Sequence, residues 1–252
     1  VGALSLLPLT LFLKPATRRA GWGPAFWPGL AAGVVLFIAA SLQQIGLQTT
    51  TAGKAAFLTG FYILLVPVFG LFLKRKPGTG VWFGAALALG GLYLLSVTAE
   101  FTMGLGDALE LVGALFWTCH IMLIDRWGPR LDPLKLSVTQ FAVCAALSLA
   151  VGLPSEPLSI HGLVGALPVL LYAGFGSVGV AYTLQVIGQR GMAPGPAALI
   201  LSLETVFAAL GGWLLLGETL GVRELVGCAL MLAGMTLAQL WPVRAVSKEL
   251  RP

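Results

Sequence analysis

Three ionisable side chains stand inside long apolar runs: Glu204, Glu110 and His120. Such groups are expensive inside a membrane and are read first as pathway residues, proton carriers or partners for a substrate charge. Glu204 lies about two residues from the middle of the stretch Pro196–Gly217, roughly 3 Å at helical rise. Its helix face would carry Ala197, Ile200, Leu201, Phe207, Ala208 and Gly211. The small members of that face let a neighbouring helix or a ligand come close. A carboxyl group there can pair with an amine substrate, bind a proton, or in protonated form hydrogen-bond another helix.

Glu110 follows Asp107 by one turn near the start of Gly106–Asp125, where the positive end of a helix favours acids. One reading makes Asp107 the helix cap and leaves Glu110 solvated. The other joins Glu110 to Trp117, two turns on, and His120, one turn further, as a stripe facing a cavity or the bundle interior. His120 alone can serve as an interhelical hydrogen-bonding group or as a proton carrier.

Uncharged polar residues recur at helical spacing: Ser41, Gln44 and Gln48; Ser137 and Gln140; Tyr182, Gln185 and Gln189. Amides and phenols can hold a metabolite without the full cost of a buried charge, or tie helices together for about 0.6 kcal/mol each. As a set they favour a polar cavity. Tyr172, beside Gly176 and Gly179, adds an aromatic next to small residues.

Several chemistries lack equipment. "GLGD" (Gly104–Asp107) matches a string found in intramembrane aspartyl proteases, but those need two facing aspartates sharing a proton. Asp125 and Asp132 fall at the opposite end of the helix that Asp107 begins. No HExxH, Gly-x-Ser-x-Gly or P-loop occurs, so zinc hydrolysis, acyl transfer and ATP-driven transport are not indicated. Cys119, Cys144 and Cys228 are odd in number and dispersed in apolar runs; they read as buried thiols rather than a disulfide framework or a metal site. No cofactor and no metal are expected.

The elements that must carry these residues follow from composition. The chain has 252 residues, 58% hydrophobic and 10% charged, with a mean hydropathy of +0.93. A soluble domain is about 25% charged, so the chain is expected to be an all-α polytopic membrane protein. Eight stretches suffice to span: Pro28–Gln48, Ala55–Leu73, Gly80–Thr98, Gly106–Asp125, Leu134–Leu153, Gly162–Ile187, Pro196–Gly217 and Val222–Trp241. Val1–Leu13 is too short and reads as the end of a cut segment. The connections are too short to hold a soluble domain.

Net charge is +5, yet the placement of the cations argues for membrane topology and against a nucleic-acid partner. Thirteen of the fifteen Lys and Arg fall in alternate connections or the tail. They are Lys14, Arg18 and Arg19; Lys74, Arg75 and Lys76; Arg126, Arg130 and Lys135; Arg190; and Arg244, Lys248 and Arg251. Only Lys54 and Arg223 fall on the other side. Cytoplasmic loops carry the Lys/Arg excess, which places the C-terminus inside and the protein in the cytoplasmic membrane.

The chain also repeats itself. "TAGKAAFL" (Thr51–Leu58) resembles "APGPAALI" (Ala193–Ile200) at an offset of 142, and "WFGAALALGGLYL" (Trp82–Leu94) matches "LVGCALMLAGMTL" (Leu225–Leu237) at 143. At 143, Gly84 falls on Gly227 and Gly91 on Gly234; the place of Glu204 is taken by Tyr62 at an offset of 142 and by Phe61 at 143, aromatic and uncharged either way. A unit with an odd number of helices inserts its two copies in opposite senses, a recurring transporter design.

The blocks "GLQTTTAGKAAFLTGFYILLVPVFGLFLKRKP", "LGDALELVGALFWTCHIML" and "MAPGPAALILSLETVFAALGGWLLLGETLGVRELVGCALMLAGMTL" together resemble EamA-type members of the drug/metabolite transporter superfamily. Thr205 stands where that family often has a proline after the mid-helix Glu. The resemblance implies a ten-helix bundle of two inverted five-helix repeats, with the first helix and part of the second absent from this chain. Residues 1–98 would form the first repeat, 106–241 the second, and 242–252 a basic cytoplasmic tail. It implies transport of a small metabolite or drug-like solute, with export preferred, by alternating access between the halves. Glu204, Tyr62, Gln44, Gln140, Trp117, His120, Glu110, Tyr172 and Tyr182 are the expected pathway residues, with proton coupling open at Glu204. The rivals are an intramembrane enzyme acting on a lipid and an uncoupled facilitator or channel. Two halves in one chain remove the need for an oligomeric partner without forbidding one.

Overall fold

The computed structural model describes residues 1–12, 21–97, 103–155, 160–217 and 219–241. The cations Lys14, Arg18 and Arg19, and the tail 242–252 with Arg244, Lys248 and Arg251, lie outside the described residues. Among the described residues all regular structure is helical. Apolar runs in lipid must satisfy every backbone N–H and C=O internally, and a helix does so within one segment.

The order is α1 (Gly2–Leu6), a short 3-10 turn (Pro8–Phe12), α2 (Gly23–Gly46), α3 (Ala52–Thr59), α4 (Tyr62–Phe72), α5 (Thr79–Ser96) and α6 (Leu105–Trp127). A second 3-10 turn (Gly128–Arg130) leads to α7 (Pro133–Ser155), α8 (Ile160–Gly165) and α9 (Leu167–Leu171). A π-helix (Tyr172–Tyr182), α10 (Thr183–Gly188), α11 (Pro194–Leu201), α12 (Glu204–Leu216) and α13 (Val222–Leu240) complete the chain. Taking the interrupted helices as single segments, eight among the described residues are long and apolar enough to cross a membrane, one for each stretch read from sequence. Two bounds differ. α2 begins at Gly23, with Pro28 inside it, and ends at Gly46. The stretch Gly162–Ile187 is not one regular helix, because it breaks at Ala166 and widens into the π-helix.

Helix ends are set by local chemistry. Thr51 accepts the Lys54 N–H at 3.2 Å and caps α3, a contribution of about 1 kcal/mol. Asp107 is not the cap of α6. Gly104 is, its carbonyl taking the first helical bond from Ala108 at 3.1 Å. Asp107, three residues in, reaches back to accept the Gly104 N–H at 2.8 Å, which is half of a capping box. α12 ends at Gly217 in the left-handed conformation, φ +68°, where a residue without Cβ carries no steric penalty.

The chain divides into two compact units. One holds residues 1–40 and 122–192. Its core gathers Ala32, Ile124, Leu136 and Val186, with Leu131 packed on them. Gly29 and Gly33 of α2 leave room for Thr139, Gln140 and Val143 of α7, the close approach that small residues permit between membrane helices. Polar anchors tie the ends of this unit: Lys135 Nζ donates to the Gly21 carbonyl at 2.6 Å, and Arg190 donates to the Gly128 and Leu131 carbonyls at 3.0 and 2.6 Å.

The other unit holds residues 41–121 and 193–252. Its dominant feature is the seam between α5 and α13. A Cβ on Gly84 would sit 2.5 Å from the Gly234 carbonyl oxygen, and one on Gly234 would sit 2.5 Å from that of Gly84. Gly91 and Gly227 meet the same way, and Gly80 faces Leu237 and Trp241. Sequence numbers rise along one helix as they fall along the other, so the two run antiparallel. Backbone touches backbone at four glycines, and no side chain can be added there without pushing the helices apart.

Candidate functional site

In the second unit, two spans are interrupted midway. α3 stops at Thr59 and α4 starts at Tyr62; α11 stops at Leu201 and α12 starts at Glu204. Four hydrogen bonds through the two breaks correspond, and the first break has one more, Leu64 N–H to Phe61 O at 2.9 Å. Gly60 N–H donates to Ala56 O (3.0 Å), Phe61 to Leu58 (3.2 Å), Ile63 to Gly60 (3.0 Å) and Leu65 to Phe61 (3.0 Å). Ser202 donates to Ala198 (3.0 Å), Leu203 to Ile200 (3.1 Å), Thr205 to Ser202 (3.2 Å) and Phe207 to Leu203 (3.0 Å). Each helix therefore tightens to a three-residue turn, then resumes. Neither break has a proline within it, so Thr205 in place of proline does not keep the helix straight. Tyr62 and Glu204 are the first residues of the resumed halves; Tyr62 is buried, whereas Glu204 is exposed. Glu204 makes no hydrogen bond or ion pair among the described residues.

A polar cluster joins α6 to α3 and the end of α2. Asp107 pairs with Lys54 at 2.7 Å, accepts from the Thr50 hydroxyl and from the Gly104 N–H, so both its oxygens are engaged. Glu110 is not solvated: it is 0% exposed. One turn deeper than Asp107, its Oε2 accepts the Thr59 hydroxyl at 2.7 Å, while Oε1 is buried without a hydrogen-bond partner. Gly46 makes the space, since a Cβ there would lie 2.7 Å from Oε1. Gly106 likewise meets the Gly46 carbonyl oxygen, 2.6 Å from where its Cβ would stand. A buried carboxyl with an open lone-pair face is the arrangement that a proton or a polar ligand completes.

The remaining expected residues distribute as follows. Trp117 and His120 are edge to face, ring centroids 6.2 Å apart, with His120 fully buried; the Glu–Trp–His stripe points into the protein. Gln44 is exposed near the end of α2, Ser41 is half-buried, and Gln48 lies past the helix end and so off that face. In the first unit, Ser137 and Gln140 of α7 are both fully buried. Tyr182 packs edge to face on Phe141 at 6.3 Å. Tyr172 is 78% exposed, its ring against Gly176. These two tyrosines are the first and last residues of the π-helix; wide helical turns of this kind concentrate at functional sites. Of the cysteines only Cys228 is buried, Cys119 and Cys144 being half-buried. Among the described residues no group of three His, Cys, Asp or Glu is placed to hold a metal.

Thr50 and Thr59 carry no distinctive sequence signal. The Lys54–Asp107 pair had one: Lys54 is one of two cations on its side of the spans, at the end where Asp107 begins its helix.

Comparison with known proteins adds to this geometry. The profile of the EamA-like transporter family matches residues 1–97 and 104–239. The chain belongs to that family. An uncharacterized transporter of Archaeoglobus fulgidus is 31% identical over 242 residues, covering 91% of this chain and 73% of that protein. The threonine/homoserine exporter RhtA of Escherichia coli K12 is 27% identical over 250 residues, covering 98% of this chain and 81% of the exporter. A solved crystal structure superposes with a TM-score of 0.76 at 19% identity, over 95% of this chain and 84% of that one, which shows a shared fold. This EamA protein is thus a helical, multi-pass membrane protein of a family that moves small solutes.

Proposed function

We propose that this EamA protein exports a small metabolite across the cytoplasmic membrane by alternating access between two inverted repeats, residues 1–98 and 106–241. The pair of interrupted spans carries the reading: helices broken at corresponding positions of two repeats, with four matching hydrogen bonds, are the best pointer to a transporter binding site. Tyr62 and Glu204 head the resumed halves at an offset of 142. The seam adds support. Repeats related by an axis in the membrane plane must place α5 and α13 antiparallel, with Gly84 and Gly91 meeting the copies of each other. The contacts Gly84–Gly234 and Gly91–Gly227 fit that operation.

Glu204 supplies the charge that pairs with a substrate amine or carries a proton, and Tyr62 is its uncharged counterpart, so that one substrate is held in one orientation. Trp117, His120, Glu110 and Gln44 are further pathway candidates within the second unit, and Gln140, Tyr172 and Tyr182 within the first. The basic connections face the cytoplasm, and so does the C-terminus.

The test is metabolite profiling of medium and cytosol from cells making the protein, its Glu204→Gln form or its Glu204→Ala form. Threonine and homoserine, named for the relatives, are the first compounds to quantify. The expected outcome is a compound that leaves the cytosol and appears outside with the unmodified protein only. Equal export by all three would remove Glu204 from the mechanism.

A further inference from the structure

The turn between α4 and α5 holds three consecutive cations, Lys74, Arg75 and Lys76, all exposed. α4 closes through paired bonds, Lys74 N–H to Leu71 O and Arg75 N–H to Gly70 O, both 2.9 Å. Lys74 takes φ +59° in doing so, the left-handed position that glycine usually fills at a helix end. A lysine there carries backbone strain in exchange for a third cation.

Beside the turn lies a pocket of about 180 Å³. Val66, Pro67, Gly70 and Val81 form its apolar floor, and Arg75 and Lys76 stand at its rim. Its far wall is Ala193–Pro196 at the start of α11, where Pro194 and Pro196 have no N–H to offer, so the two cations supply the only charge for an anion, beside the Gly195 N–H. The pocket sits between the ends of the spans Ala52–Phe72 and Thr79–Ser96, at the membrane–water boundary. Exposed Leu71, Phe72 and Leu73 flank it.

We propose that this pocket binds an anionic phospholipid, with Arg75 and Lys76 on the phosphate and the glycerol and upper acyl segments on the apolar floor. A small soluble anion would gain nothing from Val66, Pro67 and Val81. A neutral lipid would gain nothing from the cations. Only a ligand with both parts uses the whole site, and basic pockets between membrane helices recognise such headgroups. The site goes beyond the transport reading and rests only on the chain's residence in a membrane.

The test is native mass spectrometry of the detergent-purified protein titrated with phosphatidylglycerol, with phosphatidylcholine of the same chains, and with glycerol 3-phosphate. The expected result is one retained phosphatidylglycerol per chain at concentrations where the other two leave none. Arg75→Gln with Lys76→Gln weakens that lipid about thirtyfold, the loss of two interfacial cations. Gly70→Leu keeps every cation but fills the floor, and is expected to abolish retention. A Cβ at Gly70 would meet Arg75 Cβ at 3.8 Å and Pro77 Cγ at 3.9 Å, ordinary contacts, and the rest of the leucine would extend into the pocket. Lys74→Gly removes a cation outside the pocket and keeps the lipid. Equal retention of the two lipids, full retention in Gly70→Leu, loss in Lys74→Gly, or equally tight binding of glycerol 3-phosphate would each overturn the proposal. Melting temperatures without lipid accompany every variant; if one substitution lowers stability, the other, on different residues, decides.

Discussion

Thr59 donates its hydroxyl to Glu110 at 2.7 Å and sits at the last residue of α3, so a single hydrogen bond joins the helix break to the buried acid. Thr59→Val keeps the shape and removes the donor. The expected loss is about 1–3 kcal/mol, the cost of a buried polar group left without its partner, read from thermal or denaturant unfolding in detergent. In a Glu110→Leu background the same change is expected to cost little, because the acceptor has gone. Additive losses in that cycle would separate the two residues. The burial of Glu110 was one of two readings open in sequence, because three conditions on other elements decide it: no side chain at Gly46, a hydroxyl at Thr59, and Lys54 already held by Asp107. Glu204 was legible as an acid in the middle of a span. Its place at the head of a half-helix was not, since neither Ser202 nor Leu203 is a residue that announces a break.

At the scale of elements, the apolar runs marked every span, because lipid admits few alternatives to a helix of about 20 residues. The π-helix and the two breaks escaped, as they depend on how backbone bonds are shared once neighbours are in place. The seam offers a matched test. Gly90 and Gly91 are adjacent on α5, yet a Cβ on Gly90 would meet nothing within 4 Å, whereas Gly91 abuts Gly227. Gly90→Ala is expected to be neutral or to stabilise by up to about 1 kcal/mol through helix propensity. Gly91→Ala is expected to destabilise by about 1–3 kcal/mol, as overpacking does. Equal effects on the melting temperature would mean that the seam is not set by backbone contact.

For the whole molecule, the alternation of charge is the feature with the widest reach. Lys54 and Arg223, the two cations on the sparse side, are both committed: Lys54 to Asp107, Arg223 to the Val97 carbonyl and over the Tyr93 ring at 5.9 Å. Under the proposed orientation, a fluorescent protein fused after Pro252 is expected to fluoresce and alkaline phosphatase fused there to be inactive. The reverse pattern would invert the topology, and with it the direction assigned to transport.

The seam has a consequence for synthesis. Gly84 and Gly91 are spaced as Gly227 and Gly234 are, and at each of them the seam is closed by backbone. An antiparallel pair of α5 helices would set Gly84 against Gly91 in the same way, with Ala88 standing where Met231 packs on Gly91. A ribosome that stalls after α5 and before α13 is expected to leave the α5 glycine face without its mate. The timely emergence of α13 is what keeps that face within one chain.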